Sequence, residues 1–424
     1  MVAHFRRMPW FFCILLGALA ARVGAAIVVQ HWVDQTPGRL CLIEGDAAGY
    51  WDLARHLSRG EDFAIYDPPR YVERMPGFPL FLAGGMKLFG ERPLPIRLML
   101  ALVGTTACGL VYLLGRELVD HSTGLMACLL AAISPSFVVF SVLFLSETLF
   151  AATLLASLIA FARLAKAGLK ADTIGAPRRR IGLAAVAGLL AGVATLVRPT
   201  WLLVAPGFAI VWALAPGNRK ERLVPALALL SGLAAAMAPW TMRNYQVTGH
   251  FIPTTLWVGA SLYDGISAQA TGDSNMRFVE KDGYYARRDV PDFEYQADRH
   301  YRQAALQFAR QHPARVLSLA VTKLSRFFNP FPNAAQFGHW AIAWGVGLFE
   351  CFVLFLAIPG GWQLRLSGWW WLLVAGPVLY FALVHAVFVG SVRYRLPAEY
   401  PLLVLSAAGL AGMALWRAGR MPSG

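Results

Sequence analysis

Ten stretches of this chain run for about twenty residues, 181–197 and 200–215 being shorter, with almost no charge, near 10–31, 95–115, 123–141, 146–164, 181–197, 200–215, 223–240, 339–358, 369–389 and 399–416. About twenty residues is what an α-helix, rising ~1.5 Å per residue, needs to cross the ~30 Å hydrocarbon core of a bilayer. Lipid offers no partner to a free N–H or C=O, so such runs fold as helices that satisfy their own backbone. Composition points the same way, with 57% hydrophobic residues, 15% charged and a mean hydropathy of +0.51. The chain is predicted to be an all-α polytopic membrane protein with about ten transmembrane helices. Its first run resembles a secretory signal, with Arg6 and Arg7 ahead and small residues at 24–26, but it continues to Val29 and reads as an uncleaved anchor.

The formal charge of +14 does not indicate nucleic-acid binding, because the basic residues fall in short loops between apolar runs and form no single stripe. The loops "LAKAGLKADTIGAPRRR" (164–180), "GNRKER" (217–222), "QLRL" (363–366) and "RAGR" (417–420) all fall on the side of Arg6 and Arg7. By the positive-inside rule that side is cytoplasmic, with both termini on it. Of the five cysteines, only Cys41 lies outside an apolar run, and no spacing suggests a disulfide or zinc site.

Two long segments, 32–94 and 241–338, fall on the outer side. The first holds two expected interfacial helices: one carries Tyr50, Leu53, Ala54 and Leu57 at helical spacing, and the other is "GFPLFLAGGMKLFG" (77–90). The second holds two amphipathic helices, 293–313 and 313–330, broken by Pro313, after a polar, turn-rich stretch from Tyr245 to Pro291 expected as loop or short strands. The expected organisation is a transmembrane module over 1–240 that includes the outer loop 32–94, an outer segment over 241–338, and C-terminal transmembrane helices over 339–424.

Within the first outer segment, "IEGDAAGYWDLARHL" (43–57) sets Glu44 and Asp46 two residues apart at the end of a membrane run. Asp46 has a plain reading as a helix cap. The pair also suits a general base, or a metal site formed by Glu44 and Asp46. Outer links supply cations: Arg74, Arg198, Arg243, Arg393 and Arg395. Acids on one wall and arginines on the others fit transfer of a group from an anionic leaving group, since the guanidinium fork matches phosphate oxygens and stays charged.

The ordered set "DAAGYWDLA" from Asp46, "RMPGFPLFLAG" from Arg74, "RELVDHSTGLMACLLAAISPSFVVFSVLFLSETLF" from Arg116, "LVRPTWLL", "RNYQVTGHFIPTT" and "RYRLPAEYPLLVLSAAGLAG" resembles the GT-C membrane glycosyltransferases. The resemblance is to the bacterial branch related to protein O-mannosyltransferases and lipid A aminoarabinose transferases. It runs over most of the chain, is strongest in 40–200 and weakest in 260–340. It implies an inverting transfer of a sugar from a polyprenyl-phosphate donor to a hydroxyl on a glycolipid, polysaccharide or protein, at the outer face of a bacterial cytoplasmic membrane. It makes Asp46, one turn ahead of Tyr50, the catalytic carboxylate. Many relatives carry a second acid directly after this Asp; here Ala47 stands there, and Glu44 is the available substitute. A divalent cation is expected only if Glu44 supplies that second acid; a monophosphate leaving group, with less charge than a nucleotide diphosphate, is also compatible with transfer without a metal, and no other cofactor is implied.

Other residues keep more than one reading. Glu147 is either a helix-terminal acid or an active-site partner, and Arg198 either snorkels, pairs with Glu147 or binds donor phosphate. Arg22, inside the first span, is a pairing or functional candidate, and Arg395 has Glu399 in reach as an ion-pair partner. His250, His300, His312, His339 and His385 show no ligand spacing, while "GLLAG" and "GVGLF" read as helix-packing features. The rival function is a transporter or flippase of lipid-linked sugars, which would favour internal repeats and midplane charges not evident here.

Overall fold

The computed structural model describes residues 8–36, 38–43, 45–169, 176–215, 218–290, 292–332, 339–365 and 370–417. Seventeen α-helices occur among them. They are α1 (Met8–Asp34), α2 (Asp46–Arg59), α3 (Gly77–Phe89), α4 (Pro93–Leu118), α5 (His121–Ile133), α6 (Pro135–Phe140), α7 (Glu147–Leu169), α8 (Ala176–Val197) and α9 (Val204–Leu214). After them come α10 (Arg219–Thr248), α11 (Val258–Gly265), α12 (Arg277–Asp282), α13 (Phe293–Gln311), α14 (Pro313–Phe328), α15 (Trp340–Leu364), α16 (Trp370–Val387) and α17 (Val392–Arg417).

Eight of these are long and apolar enough to cross a membrane, over Pro9–Asp34, Pro93–Leu118, Glu147–Gly168, Pro177–Val197, Glu221–Thr248, Trp340–Leu364, Trp370–Val387 and Val392–Met413. The remaining two expected spans are shorter. The run 123–141 breaks at Ser134, whose hydroxyl caps α6 by accepting from the Phe137 N–H at 3.3 Å, and Pro135 cannot donate to a continuing helix. The run 200–215 begins as a 3-10 turn at Pro199–Trp201 and becomes α-helical only at Val204.

Burial sorts the side chains by solvent. Leu16, Leu102, Ile210, Leu227, Phe355 and Leu383 are exposed on the spans, as lipid-facing residues should be, whereas Arg22, Arg97, Ser157, Glu350, Arg395 and Ser406 turn inward. Where backbones approach, glycine replaces leucine. A Cβ built on Gly188 of α8 would overlap the Leu229 carbonyl oxygen of α10, and one on Gly232 would overlap that of Ala185. The "GLLAG" stretch is thus a helix crossing. In "GVGLF", Gly347 accommodates the Phe331 ring and Gly345 faces open space. Gly188→Ala is therefore expected to cost about 1–3 kcal/mol, the usual penalty of overpacking. Gly182→Ala in the same helix, where nothing lies within 4 Å, should be neutral or stabilising. Unfolding of the two purified variants in detergent checks this, and equal shifts would mean that the crossing does not depend on Gly188.

The outer segment has a small core of its own around Ala260, Phe278, Val279, Tyr285, Ala297 and Tyr301. Helices α13 and α14 lie where expected, with the chain turning at His312–Pro313. The stretch before them is largely loop, as one of the two expectations had it, but in place of short strands its described residues form α11, α12 and a 3-10 turn at Tyr284–Ala286. Carboxylates there accept main-chain N–H groups that a strand ladder would otherwise use. Asp298 takes the Gly259 N–H, and Asp264 takes the Asn275 N–H at 2.9 Å.

Candidate active site

Gly45 adopts φ +77, a conformation that favours glycine, and the next residue starts α2. Asp46 is that first residue, and the contacts of its carboxylate are not with its own helix. Its two oxygens turn instead to arginines from distant elements: Oδ1 lies 3.1 Å from Arg74 Nη1 and Oδ2 lies 3.0 Å from Arg393 Nη1. Arg74 sits in the link before α3, and Arg393 in the first turn of α17. Gly49, one turn along, makes room, since a Cβ there would come within 2.9 Å of Arg74 Nη2. Tyr50 completes this wall, with its ring 4.7 Å from the Arg74 guanidinium.

Arg393 also donates through Nε to Glu147, the buried N-terminal residue of α7. Glu147 accepts as well from Arg198 Nη1 at 2.9 Å. Arg198 follows the last turn of α8, where Pro199 forces the chain out of the helix. Tyr394 lies beside both cations, 5.3 Å from the Arg198 guanidinium and 5.7 Å from that of Arg393. On the other flank, Arg74 approaches Glu73 at 3.6 Å, and Glu73 pairs with Arg70 at 3.0 Å.

The result is an alternating chain, Arg70–Glu73–Arg74–Asp46–Arg393–Glu147–Arg198, in which four guanidiniums face three carboxylates and leave a formal charge of +1. Asp46 stays 40% exposed although protein crowds round it, so its carboxylate opens onto space that a ligand could enter. Burial raises its pKa, but Arg393 and Arg74, with Arg198 behind them, outweigh that and hold the carboxyl well below the usual carboxylate range.

Of the residues singled out in the sequence, Asp46, Tyr50, Arg74, Glu147, Arg198 and Arg393 therefore converge. Three arginines do not: Arg243 and Arg395, expected as donor-phosphate candidates, and Arg22, expected as a supporting or pairing residue, have other partners here. Arg243 donates to the carbonyls of Tyr71 at 2.6 Å and Phe63 at 3.2 Å, bracing the link that carries Arg74. Arg395 is fully buried between Glu399 and Glu350 and donates to the Phe327 and Asn329 carbonyls. Arg22, also fully buried, donates to the Ala131 and Ala132 carbonyls at the end of α5. Each of these guanidiniums donates to backbone carbonyls, and Arg395 also meets buried acids. Glu44 lies outside the described residues.

Sequence reasoning overlooked Arg70, Glu73 and Tyr394. Glu73 stands next to Arg74 and three residues from Arg70, a charge pattern that resembles an ordinary surface pair and becomes a site only when α2 and α17 are brought against it. No group of three His, Cys, Asp or Glu among the described residues is placed to hold a metal. With both Asp46 oxygens on guanidiniums, the surroundings suit an incoming anion better than a cation.

Residues 69–242 match the family described as dolichyl-phosphate-mannose-protein mannosyltransferase. No curated protein matches the chain in sequence. Among solved structures, the chain is similar to the archaeal oligosaccharyltransferase AglB from Archaeoglobus fulgidus in complex with an inhibitory peptide and a dolichol-phosphate. That match has 17% identity and a TM-score of 0.63, and covers 98% of this chain and 52% of that one. The oligosaccharyltransferase of the same organism in the apo form gives 14% identity and a TM-score of 0.61 over 97% and 52% of the two chains. ArnT from Cupriavidus metallidurans in the apo state gives 17% identity and a TM-score of 0.43 over 95% and 78%. The chain spans about half the length of the archaeal structures it matches.

Proposed function

On the premise that this chain carries the GT-C membrane glycosyltransferase fold, with a matching family segment over 69–242, we propose that it moves a sugar from a polyprenyl-phosphate donor to a hydroxyl acceptor. One observation carries this reading: both oxygens of a single open carboxylate, Asp46, face arginines brought from separate elements in a cluster of net positive charge. The family description names a lipid-phosphate-linked sugar, and one similar structure holds a dolichol-phosphate.

In the proposed reaction, the acceptor hydroxyl oxygen attacks the anomeric carbon from the face opposite the phosphate, which inverts that centre. The bond from this carbon to the phosphate oxygen breaks, its electron pair leaves with the polyprenyl phosphate, and the hydroxyl proton passes to Asp46. A carboxylate held as far down as Asp46 is a weak base while it pairs with two arginines. Donor phosphate competes for the same guanidiniums. As Arg74 and Arg393 turn to it, Asp46 regains basicity where a proton must be taken, and the arginines meet the charge developing on the leaving group. Arg198 and Glu147 hold Arg393 from behind.

The cluster joins the N-terminal ends of α7 and α17 to the C-terminal end of α8, and the basic loops lie at the opposite ends of these helices. With those loops cytoplasmic, the site faces the outer side of a bacterial cytoplasmic membrane. The acceptor is a lipid, a glycan or a protein on that face. The test is to offer polyprenyl-phosphate sugars to the purified protein in liposomes, together with an envelope extract. Sugar transfer with release of polyprenyl phosphate is expected. Movement of intact lipid-linked sugar between leaflets without release would replace this reading with that of a flippase.

A further inference from the structure

The link that delivers Arg74 to Asp46 folds back on itself, with the Arg70 N–H on the Ile65 carbonyl at 2.9 Å, and its next two residues are gripped from outside. Tyr71 and Val72 have four main-chain polar groups, and residues from beyond 240 hold all of them. The Tyr71 and Val72 N–H groups donate to Glu294 Oε2 and Oε1, each at 2.9 Å. The Tyr71 carbonyl accepts from Arg243 at 2.6 Å, and the Val72 carbonyl accepts from the Leu256 N–H at 2.8 Å. Leu256 is fixed in turn, its carbonyl accepting from the Tyr285 hydroxyl at 2.8 Å. Two residues further on, Arg74 reaches Asp46.

We propose that Glu294, in the first turn of α13, is a positioning residue that clamps the Tyr71–Val72 backbone and thereby sets Arg74 against Asp46. The inference rests on the transfer reading above for its consequence, though not for the clamp itself. Glu294 is buried, makes no salt bridge among the described residues, and spends both oxygens on consecutive amides of a segment 222 and 223 residues away. A carboxylate is the side chain that can accept two parallel N–H bonds with both oxygens; a glutamine offers one acceptor and sets an NH2 against the other N–H.

Ionisation of the clamp matters for the same reason, because a protonated carboxyl turns an O–H toward one of the two amides. Glu73 and Arg70 face Glu294 from the clamped link, Arg243 from α10, Tyr285 from the 3-10 turn, and Asp298 lies one turn along α13. Burial, with Glu73 adding to it, outweighs the two amides and Arg70 and raises the Glu294 carboxyl to about 7. The sign follows: the two-oxygen clamp is complete above that pH and is lost as pH falls through it.

The test uses the full chain in detergent or nanodiscs, comparing wild type with Glu294→Gln. Backbone amide exchange over 70–76, corrected for intrinsic rates and referenced to α7, should be slow in wild type above pH about 7. It should speed up in wild type below that pH, and at every pH in the variant. Transfer from a polyprenyl-phosphate sugar should fall roughly ten- to hundredfold in Glu294→Gln, the worth of a charged hydrogen bond, mainly in kcat. The acid limb seen in wild type should be missing from the variant's pH profile. Should the variant fold poorly, the pH dependence of exchange in wild type still decides the matter. Unchanged protection of 70–76 in the variant, or across the pH range in wild type, would overturn the clamp. Altered protection in a protein that transfers no sugar would leave the clamp standing and remove the transfer reading.

Discussion

Asp46→Asn is expected to lower sugar transfer by about 10²–10⁴-fold, the usual contribution of a positioned general base, while the protein still retains lipid phosphate. The asparagine is nearly isosteric and occupies the same place at the start of α2, where the contacts of Asp46 are with Arg74 and Arg393 and not with its own helix. What it removes is one of three carboxylates among four guanidiniums, so the formal charge of the cluster rises from +1 to +2. Arg74 and Arg393 lose their partner and become freer to meet a phosphate. The expected result is thus a separation: turnover collapses, and polyprenyl phosphate co-purifying with the protein, measured by mass spectrometry, stays level or increases. Equal turnover in wild type and variant would reduce Asp46 to a structural ion-pair partner. Loss of both turnover and bound lipid would make it part of donor binding and not the base.

Arg395→Met should act on stability instead, by about 3–5 kcal/mol, as expected when one partner of a buried ion pair is removed. Arg395 is 0% exposed, and Glu350 and Glu399 are each 3% exposed at the side chain. Deleting the guanidinium leaves both acids inside the helix bundle with no cation, and the carbonyls of Phe327 and Asn329 lose their donor. The end of α14 would no longer be tied to α17. Ser136, whose hydroxyl lies 3.5 Å from Glu350, is too weak a partner to compensate. Adding Glu350→Gln and Glu399→Gln to Arg395→Met should recover part of the loss, because the penalty lies in the stranded charge more than in the missing bond. Unfolding in detergent, monitored by tryptophan fluorescence, measures both steps. Normal stability combined with lost donor binding would instead return Arg395 to the phosphate site that its sequence context suggested.

The two variants also separate residues that the sequence presents alike. In "VRYRLPAEY", Arg393 and Arg395 flank one tyrosine and lead into one helix. Helical residues two apart differ by about 200° in direction, so they cannot face the same partner. Arg393 turns to Asp46 and Glu147, and Arg395 to Glu350 and Glu399. Helical geometry announces that one of them must diverge, but not which. That depends on where α7 and α15 stand around α17. Arg243 and Arg22 were similarly ambiguous: each is a cation near the end or inside of a span, and each has gone to backbone carbonyls that have no signature in the residue string.

The sequence by itself determined eight of the ten expected membrane-spanning helices, because about twenty apolar residues in succession leave lipid and helix as the consistent solution. It determined the pair α13 and α14 with their break at Pro313, since amphipathic spacing and a missing N–H are local properties. It also contained Asp46 and most of the arginines that meet it. The tertiary structure alone decided which charges meet, joining residues 46, 74, 147, 198 and 393 through contacts that span most of the chain. It alone set two short helices into the loop after Tyr245, where Asp298 and Asp264 accept the Gly259 and Asn275 N–H groups. Hydrophobic periodicity is written residue by residue. The partner of a buried charge is set by the packing of segments hundreds of residues apart, and no local pattern carries that.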